Sequence, residues 1–243
     1  FCCDSIIKTV KKTKLKFDFY SLNRNLEPKI KPTKGTIILV INYFGKNSTF
    51  IKKYEKNKNN KFYLIEDASH SFLNNLTLLN KKKHHVYLSI RKHSYLNVGG
   101  WANSKPCKLK YNQPSNQIFI NSKKIKIRKQ KFLKAYKYIN NEKFFLDYFK
   151  KTEKKISNIF SNETISTVIT DELGSINWKK IGKLRQNNWK FLNKLLENKY
   201  NGIFNKISND EIPLGLILLV KDRDKLRKFL LKKRIFTSIH WPI

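Results

Sequence analysis

Asp67, His70 and Lys92 are the residues whose types and spacing suit carbonyl chemistry. Asp67 and His70 stand in IEDASHSF, residues 65–72. Lys92 lies in LSIRKHSYLNVGG, residues 88–100, seven positions before Gly99 of the pair Gly99-Gly100. A lysine amine can condense with an aldehyde. A carboxylate can hold a pyridine nitrogen protonated, so that the ring accepts electrons. A histidine can hydrogen-bond a ring hydroxyl. Each residue also has a plainer explanation. Asp67 can cap a helix after a strand, His70 can be a satisfied, partly buried histidine, and Lys92 can be one solvated lysine among 45. What sets Lys92 apart is its place between the apolar run His85–Ile90 and flexible glycine backbone.

Strand-like runs are needed to position these groups. Leu15–Tyr20 alternates weakly. Thr36–Asn42 (TIILVIN) is almost wholly apolar and of strand length, as in a buried sheet. Phe62–Ile65 and His85–Ile90 are two further buried strands. Residues 47–60 between the first two are polar, with Phe50, Ile51 and Tyr54 at helical spacing. Apolar strands alternating with helical or polar stretches predict an α/β fold with a mostly parallel sheet. Ligands on such sheets sit beyond the strand carboxyl ends. Asn42, Asp67 and Lys92 all fall at that edge.

The second half reads as more helical. Residues 131–155 and 176–198 have helical patterns, the second with Asn188 interrupting its apolar stripe and Gly202 ending it. Leu214–Val220 then reads as a strand, Asp222–Lys233 as a helix and Ile235–Ile239 as the start of another strand. This tail predicts a smaller second unit over 201–243, after a larger one over 1–200.

The formal net charge is +35 in 243 residues. Alone, it points to nucleic acid or an anionic surface, and KKIKIRKQKFLK at 123–134 is the best basic stretch for that. However, 45 of the 52 basic residues are lysine, spread along the whole chain, and asparagine and isoleucine are abundant. That profile matches an A/T-rich coding bias, so nucleic-acid binding is the weaker reading. The longest apolar run near the end, Leu214–Val220, is far short of the roughly 20 residues of a membrane span. Cys2, Cys3 and Cys107 are odd in number and lack metal spacing, which predicts reduced thiols acting as small buried hydrophobes in a cytoplasmic protein. The lack of methionine and the apolar end at IHWPI suggest a piece of a longer protein.

The order of these pieces resembles the DegT/DnrJ/EryC1/StrS family of pyridoxal-phosphate-dependent sugar aminotransferases. VINYFG (40–45) is similar to its strand-and-turn V-H-x-x-G, with Asn42 where histidine is usual. IEDASHSF is similar to its I-E-D-A-A-H/Q signature, and Ser89–Gly100 to its lysine loop. Arg185-Gln186-Asn187-Asn188 resembles its R-x-x-N helix, and the stretch from Pro213 to Pro242 the start of its small domain.

The resemblance implies the fold type I transferase architecture: a mixed, mostly parallel sheet flanked by helices, with the beginning of a smaller C-terminal domain. It also implies that Lys92 carries pyridoxal 5'-phosphate and shuttles the proton. Asp67 would pair with the pyridine nitrogen and His70 with the ring hydroxyl. The family's phosphate-binding serine falls at Tyr87, and Ser89 is the nearest serine. The implied substrate is a nucleotide-linked keto sugar, with glutamate as the usual amino donor, and the implied assembly a homodimer. A catalytically degenerate relative, serving as a binding or scaffold protein, is the alternative.

Overall fold

Eleven helices and strands are defined among the described residues in a computed structural model of the chain. It describes residues 2–57, 59–74, 76, 82–94, 96, 99–103, 127, 147, 150, 151, 154, 167–200, 207–233, 235, 237 and 238. In order they are α1 (Asp4–Lys12), β1 (Ser21–Leu22), β2 (Pro28–Lys29), β3 (Ile37–Ile41), α2 (Thr49–Lys56), β4 (Tyr63–Asp67), β5 (His85–Ser89), β6 (Gly100–Ala102), α3 (Thr167–Gly174), α4 (Trp178–Leu196) and α5 (Arg223–Lys232). Short 3₁₀ turns occupy Tyr43–Gly45, Phe72–Asn74 and Ile90–Lys92.

The apolar runs form the sheet. Its order is β3-β4-β5-β6; the first three strands are parallel and β6 is antiparallel to β5. Ile41 lies opposite Asp67, and Asp67 opposite Tyr87. Successive side chains on a strand point to opposite faces. One face therefore carries Ile38, Val40 and Leu64, packed on Ile51 of α2 and sealed by Tyr20, Phe50, Tyr54 and Phe62. Val86 and Leu88 of β5 pack with Ala68, Phe72 and Ile90, against which Trp178 and Ile181 of α4 rest. Leu39 and Ile41 point the other way and meet Tyr43, Phe44, Cys2 and Ile6. The result is a mixed α/β fold, a mixed sheet flanked by helices.

Caps explain where the helices start. The Ser48 hydroxyl accepts from the amide of Phe50 at 3.2 Å. The Glu27 carboxylate adds a second acceptor at that end, taking the amide of Thr49 at 2.9 Å. Asn177 caps α4, its side-chain oxygen accepting from the amide of Lys180 at 2.9 Å. No helix among the described residues is long and apolar enough to cross a membrane.

Several expectations are corrected. Leu15–Tyr20 joins no sheet, and Leu15, Phe17 and Phe19 are exposed. Leu214–Val220 is not a strand and holds only an isolated bridge residue, Leu218. Pro213 and Gly215 bracket its start, and the amide of Leu214 donates to the carbonyl of Phe44 at 2.9 Å. The segment uses its backbone for docking instead of a ladder. Ile235, Thr237 and Ser238 are not in a strand. Cys2 is packed beside Tyr43 as expected, but Cys3 is exposed. The predicted helix over 131–155, the basic stretch 123–134, Gly202 and Cys107 lie outside the described residues, apart from a few helical positions.

Candidate active site at the carboxyl ends of the parallel strands

The site begins with two adjacent carboxylates that strand alternation sends in opposite directions. Glu66 faces the α2 side. Its Oε1 accepts from the Asn42 amide at 2.6 Å, and its Oε2 lies 2.7 Å from Nε2 of His84. The Lys82 amine is 3.6 Å away. Asn42 also donates to the Ser71 hydroxyl at 3.0 Å and accepts from the amide of Ser48 at 2.9 Å. Burial pushes the Glu66 carboxyl up, but the His84 hydrogen bond, the Lys82 and His84 charges and the Asn42 amide outweigh it. The net direction is down. Asn42 is therefore a structural hub beneath the sheet and takes no part in the site proper.

Asp67 ends β4 on the opposite face and is only 5% exposed. Its Oδ1 accepts from the amide of Ser69 at 2.8 Å. This is the turn an aspartate makes with the backbone two residues on; the chain then passes into a tight turn, so the alternative of a helix cap does not apply. Tyr87 is in register beside Asp67 on β5. Its buried hydroxyl lies beside the carboxylate. Burial first, and the Asp67 charge second, push the phenol far above its usual range, so it keeps its proton. Ser89, two residues on, shares that face, half-buried at the end of β5.

His70 and Lys92 are brought into direct contact. Nζ of Lys92 lies 3.1 Å from Nε2 of His70. His70 is 3% exposed, and its ring lies against that of Phe44 with centroids 5.7 Å apart. The amide of Phe44 donates to Nδ1 of His70 at 3.2 Å. An accepting Nδ1 leaves the proton of a neutral ring on Nε2. Nε2–H then faces the lysine nitrogen.

Lys92 closes the 3₁₀ turn after β5, and two glycines shape the return of the chain to the sheet. Gly99, at φ +106°, accepts through its carbonyl from the amide of Ile90 at 3.1 Å. A Cβ on Gly100 would meet the Leu88 carbonyl at 3.0 Å. The glycine pair thus closes the lysine loop back onto β5.

Four groups were not assigned from sequence. They are Glu66 with His84, the buried His93, Glu211, and the grip of Arg185 on the lysine loop. The Nε2–H of His93 donates to the carbonyl of Ser69 at 2.9 Å. Burial, then the Arg185 charge, bring its ring down to about 4. Glu211 is 5% exposed and accepts from the amide of Asn47 at 2.9 Å. Only the E of I-E-D could have drawn attention to Glu66; the rest depend on contacts between distant segments. No cluster of three or more metal-ligating side chains occurs among the described residues.

The arrangement holds one lysine nitrogen against a histidine and, at the neighbouring strand ends, a protonated phenol beside a buried carboxylate. Comparison with family models, with curated proteins and with solved structures found no match for this chain.

Proposed function

We propose that this chain is the core of a pyridoxal-phosphate-dependent aminotransferase acting on a nucleotide-linked keto sugar, with the fold type I architecture. The observation that supports this best is the Lys92–His70 contact at 3.1 Å, beyond a strand whose parallel neighbour ends in buried Asp67. The residues present fit the cofactor. Asp67 would hold the pyridine nitrogen, His70 the ring hydroxyl and Ser89 the phosphate, while the Lys92 amine would hold the aldehyde carbon. The donor set of a buried carboxylate, a histidine against an amine and a half-buried hydroxyl suits such a group. When bound, the cofactor supplies an electron sink for amino-group transfer. The chain's own part is to position and to move a proton. His70 would orient Lys92, Asp67 would stabilise positive charge on a bound ring, and the Lys92 nitrogen would take up and return a proton. Glutamate is the proposed amino donor, a homodimer the proposed assembly, and the cytoplasm the proposed location.

A catalytically degenerate relative, acting as a binding or scaffold protein, is the second reading. Tyr87, at the position that resembles a phosphate-binding serine, favours it: a bulky phenol stands where a small donor would make room for phosphate. The two readings separate on addition of pyridoxal phosphate. The first predicts a visible Schiff-base absorbance that Lys92→Ala removes. A folded protein that develops none, or one that Lys92→Ala leaves unchanged, sinks it.

A further inference from the structure

Hydrogen bonds around Lys92 form a closed ring through four distant segments. The Arg185 guanidinium of α4 donates from Nη2 to the backbone carbonyl of Lys92 at 3.3 Å and from Nη1 to that of Leu214 at 2.8 Å. The amide of Leu214 donates to the carbonyl of Phe44 at 2.9 Å. The amide of Phe44 donates to Nδ1 of His70 at 3.2 Å, and Nε2 of His70 meets Nζ of Lys92 at 3.1 Å. The path starts and ends on one residue.

The seat for Leu214 is built with close tolerance. Gly45 adopts φ +94°, and a Cβ there would run into the backbone of residues 212–214, meeting the Leu214 nitrogen and Pro213 Cα at 2.8 Å. Gly182 of α4 would press Cδ1 of Ile212 at 2.8 Å. Asn74 holds the same segment, accepting from the amide of Ile212 at 2.6 Å and donating to the carbonyl of Gly45 at 2.6 Å. Arg185 is partly buried, so its two carbonyl partners replace water that it has lost.

From this geometry we infer that Arg185 is a positioning residue for Lys92, and that docking of residues 211–214 is coupled through the ring to the Lys92–His70 pair. The guanidinium fixes where the lysine loop starts; the Leu214–Phe44 link fixes the amide that selects the His70 tautomer. Release of the segment at either end frees the lysine nitrogen from its orientation. A substrate that engages the 211–214 segment would thereby act on the reactive amine. The inference rests on Lys92 being the reactive amine of the proposed site, but not on the identity of the aldehyde.

Reductive methylation with formaldehyde and cyanoborohydride, read lysine by lysine by mass spectrometry, tests it without pyridoxal phosphate. The exposed lysines of the same sample are the internal reference. In the unchanged protein Lys92 should label more slowly than they do, since its nitrogen is held against His70 in a partly buried contact. Arg185→Gln should bring Lys92 about tenfold toward the exposed lysines, the worth of one charge-assisted hydrogen bond. Arg185→Lys, which keeps the charge but not the two-carbonyl span, should fall between. Gly45→Ala should reproduce the Arg185→Gln effect, and the double variant should add little to either, because the ring is already open.

Unchanged Lys92 labelling in a folded Arg185→Gln protein overturns the inference, as do fully additive effects. If the variants do not fold, amide exchange in the unmutated protein decides. Methylation of Lys92 should speed exchange at Phe44 and Leu214, and unchanged exchange there overturns the coupling. Coupled labelling alongside failure to trap pyridoxal phosphate would refute the proposed cofactor while leaving the ring intact.

Discussion

Lys92 and His70 are 22 residues apart in sequence, and their nitrogens are 3.1 Å apart in space. Parallel pairing of β4 and β5 brings them together: each residue lies three positions beyond the end of its strand, Asp67 or Ser89. The amide of Phe44, beyond β3, then sets the tautomer. Three neighbouring strand ends thus cooperate on one amine, as expected of an α/β sheet edge.

The two adjacent carboxylates should respond in opposite ways to substitution. Asp67→Asn keeps an oxygen for the amide of Ser69, so its stability should stay within about 1 kcal/mol of the parent. Its retention of pyridoxal phosphate should fall at least tenfold, with loss of the charge opposite the ring. Glu66→Ala strands His84 and Asn42 in the interior and should cost about 3–5 kcal/mol. Urea denaturation with parallel cofactor titration separates the two; comparable stability losses would contradict the division of roles.

His93 should make stability depend on pH in a defined window. Its ring falls to about 4 in the folded chain, from an ordinary value of 6.5. The unfolded chain therefore binds the extra proton first as the pH drops. The contribution is complete above about 6.5 and is lost as the pH falls through 4. Unfolding free energies from urea melts between pH 7 and 4 should decline over this range, by roughly 3 kcal/mol if His93 acts alone. A His93→Asn variant should lose most of that slope while keeping a donor for the Ser69 carbonyl.

Glu66 supplies a second, more acidic component. Its carboxyl is held below 4.5, so its stabilisation is present above that value and lost as the pH falls through the lowered folded value. Glu66→Gln should flatten the acid limb of the stability profile below about 4.5 and leave the His93 window in place. An unchanged acid limb would mean that the His84 and Lys82 contacts do not stabilise the charged form.

Gly45→Ala should destabilise the chain by about 1–3 kcal/mol, since φ is +94° and the new methyl would run into the backbone of residues 212–214. Gly35→Ala, with a positive φ but open space around it, should cost less. Thermal or urea melts of the pair compare strain with strain plus collision. Equal losses would show that the 212–214 contact is loose.

Much of the sheet was legible because period and composition agree. IILVI and YLI are too apolar for any place but a buried strand, and the glycine pair marked the lysine loop. What escaped was long-range. The antiparallel β6 contributes only three residues, GWA, to pattern reading. The segment after Pro213 is apolar enough to suggest a strand, yet its amide at Leu214 is taken by Phe44, 170 residues earlier in the chain. Asn42 sits at a strand end like Asp67, but alternation turns it under the sheet to Glu66. Arg185 was visible only as part of RQNN; its reach to two carbonyls depends on the docking of α4.

The central claim is that one lysine among 45 is a cofactor lysine. The most direct measurement is to incubate the folded protein with pyridoxal phosphate, reduce with borohydride, digest, and map the modified lysines by mass spectrometry. The proposed function predicts one dominant adduct on Lys92, reduced when Asp67 is changed to Asn. Labelling spread across exposed lysines, or none at Lys92, would contradict it and leave the degenerate relative as the reading to pursue.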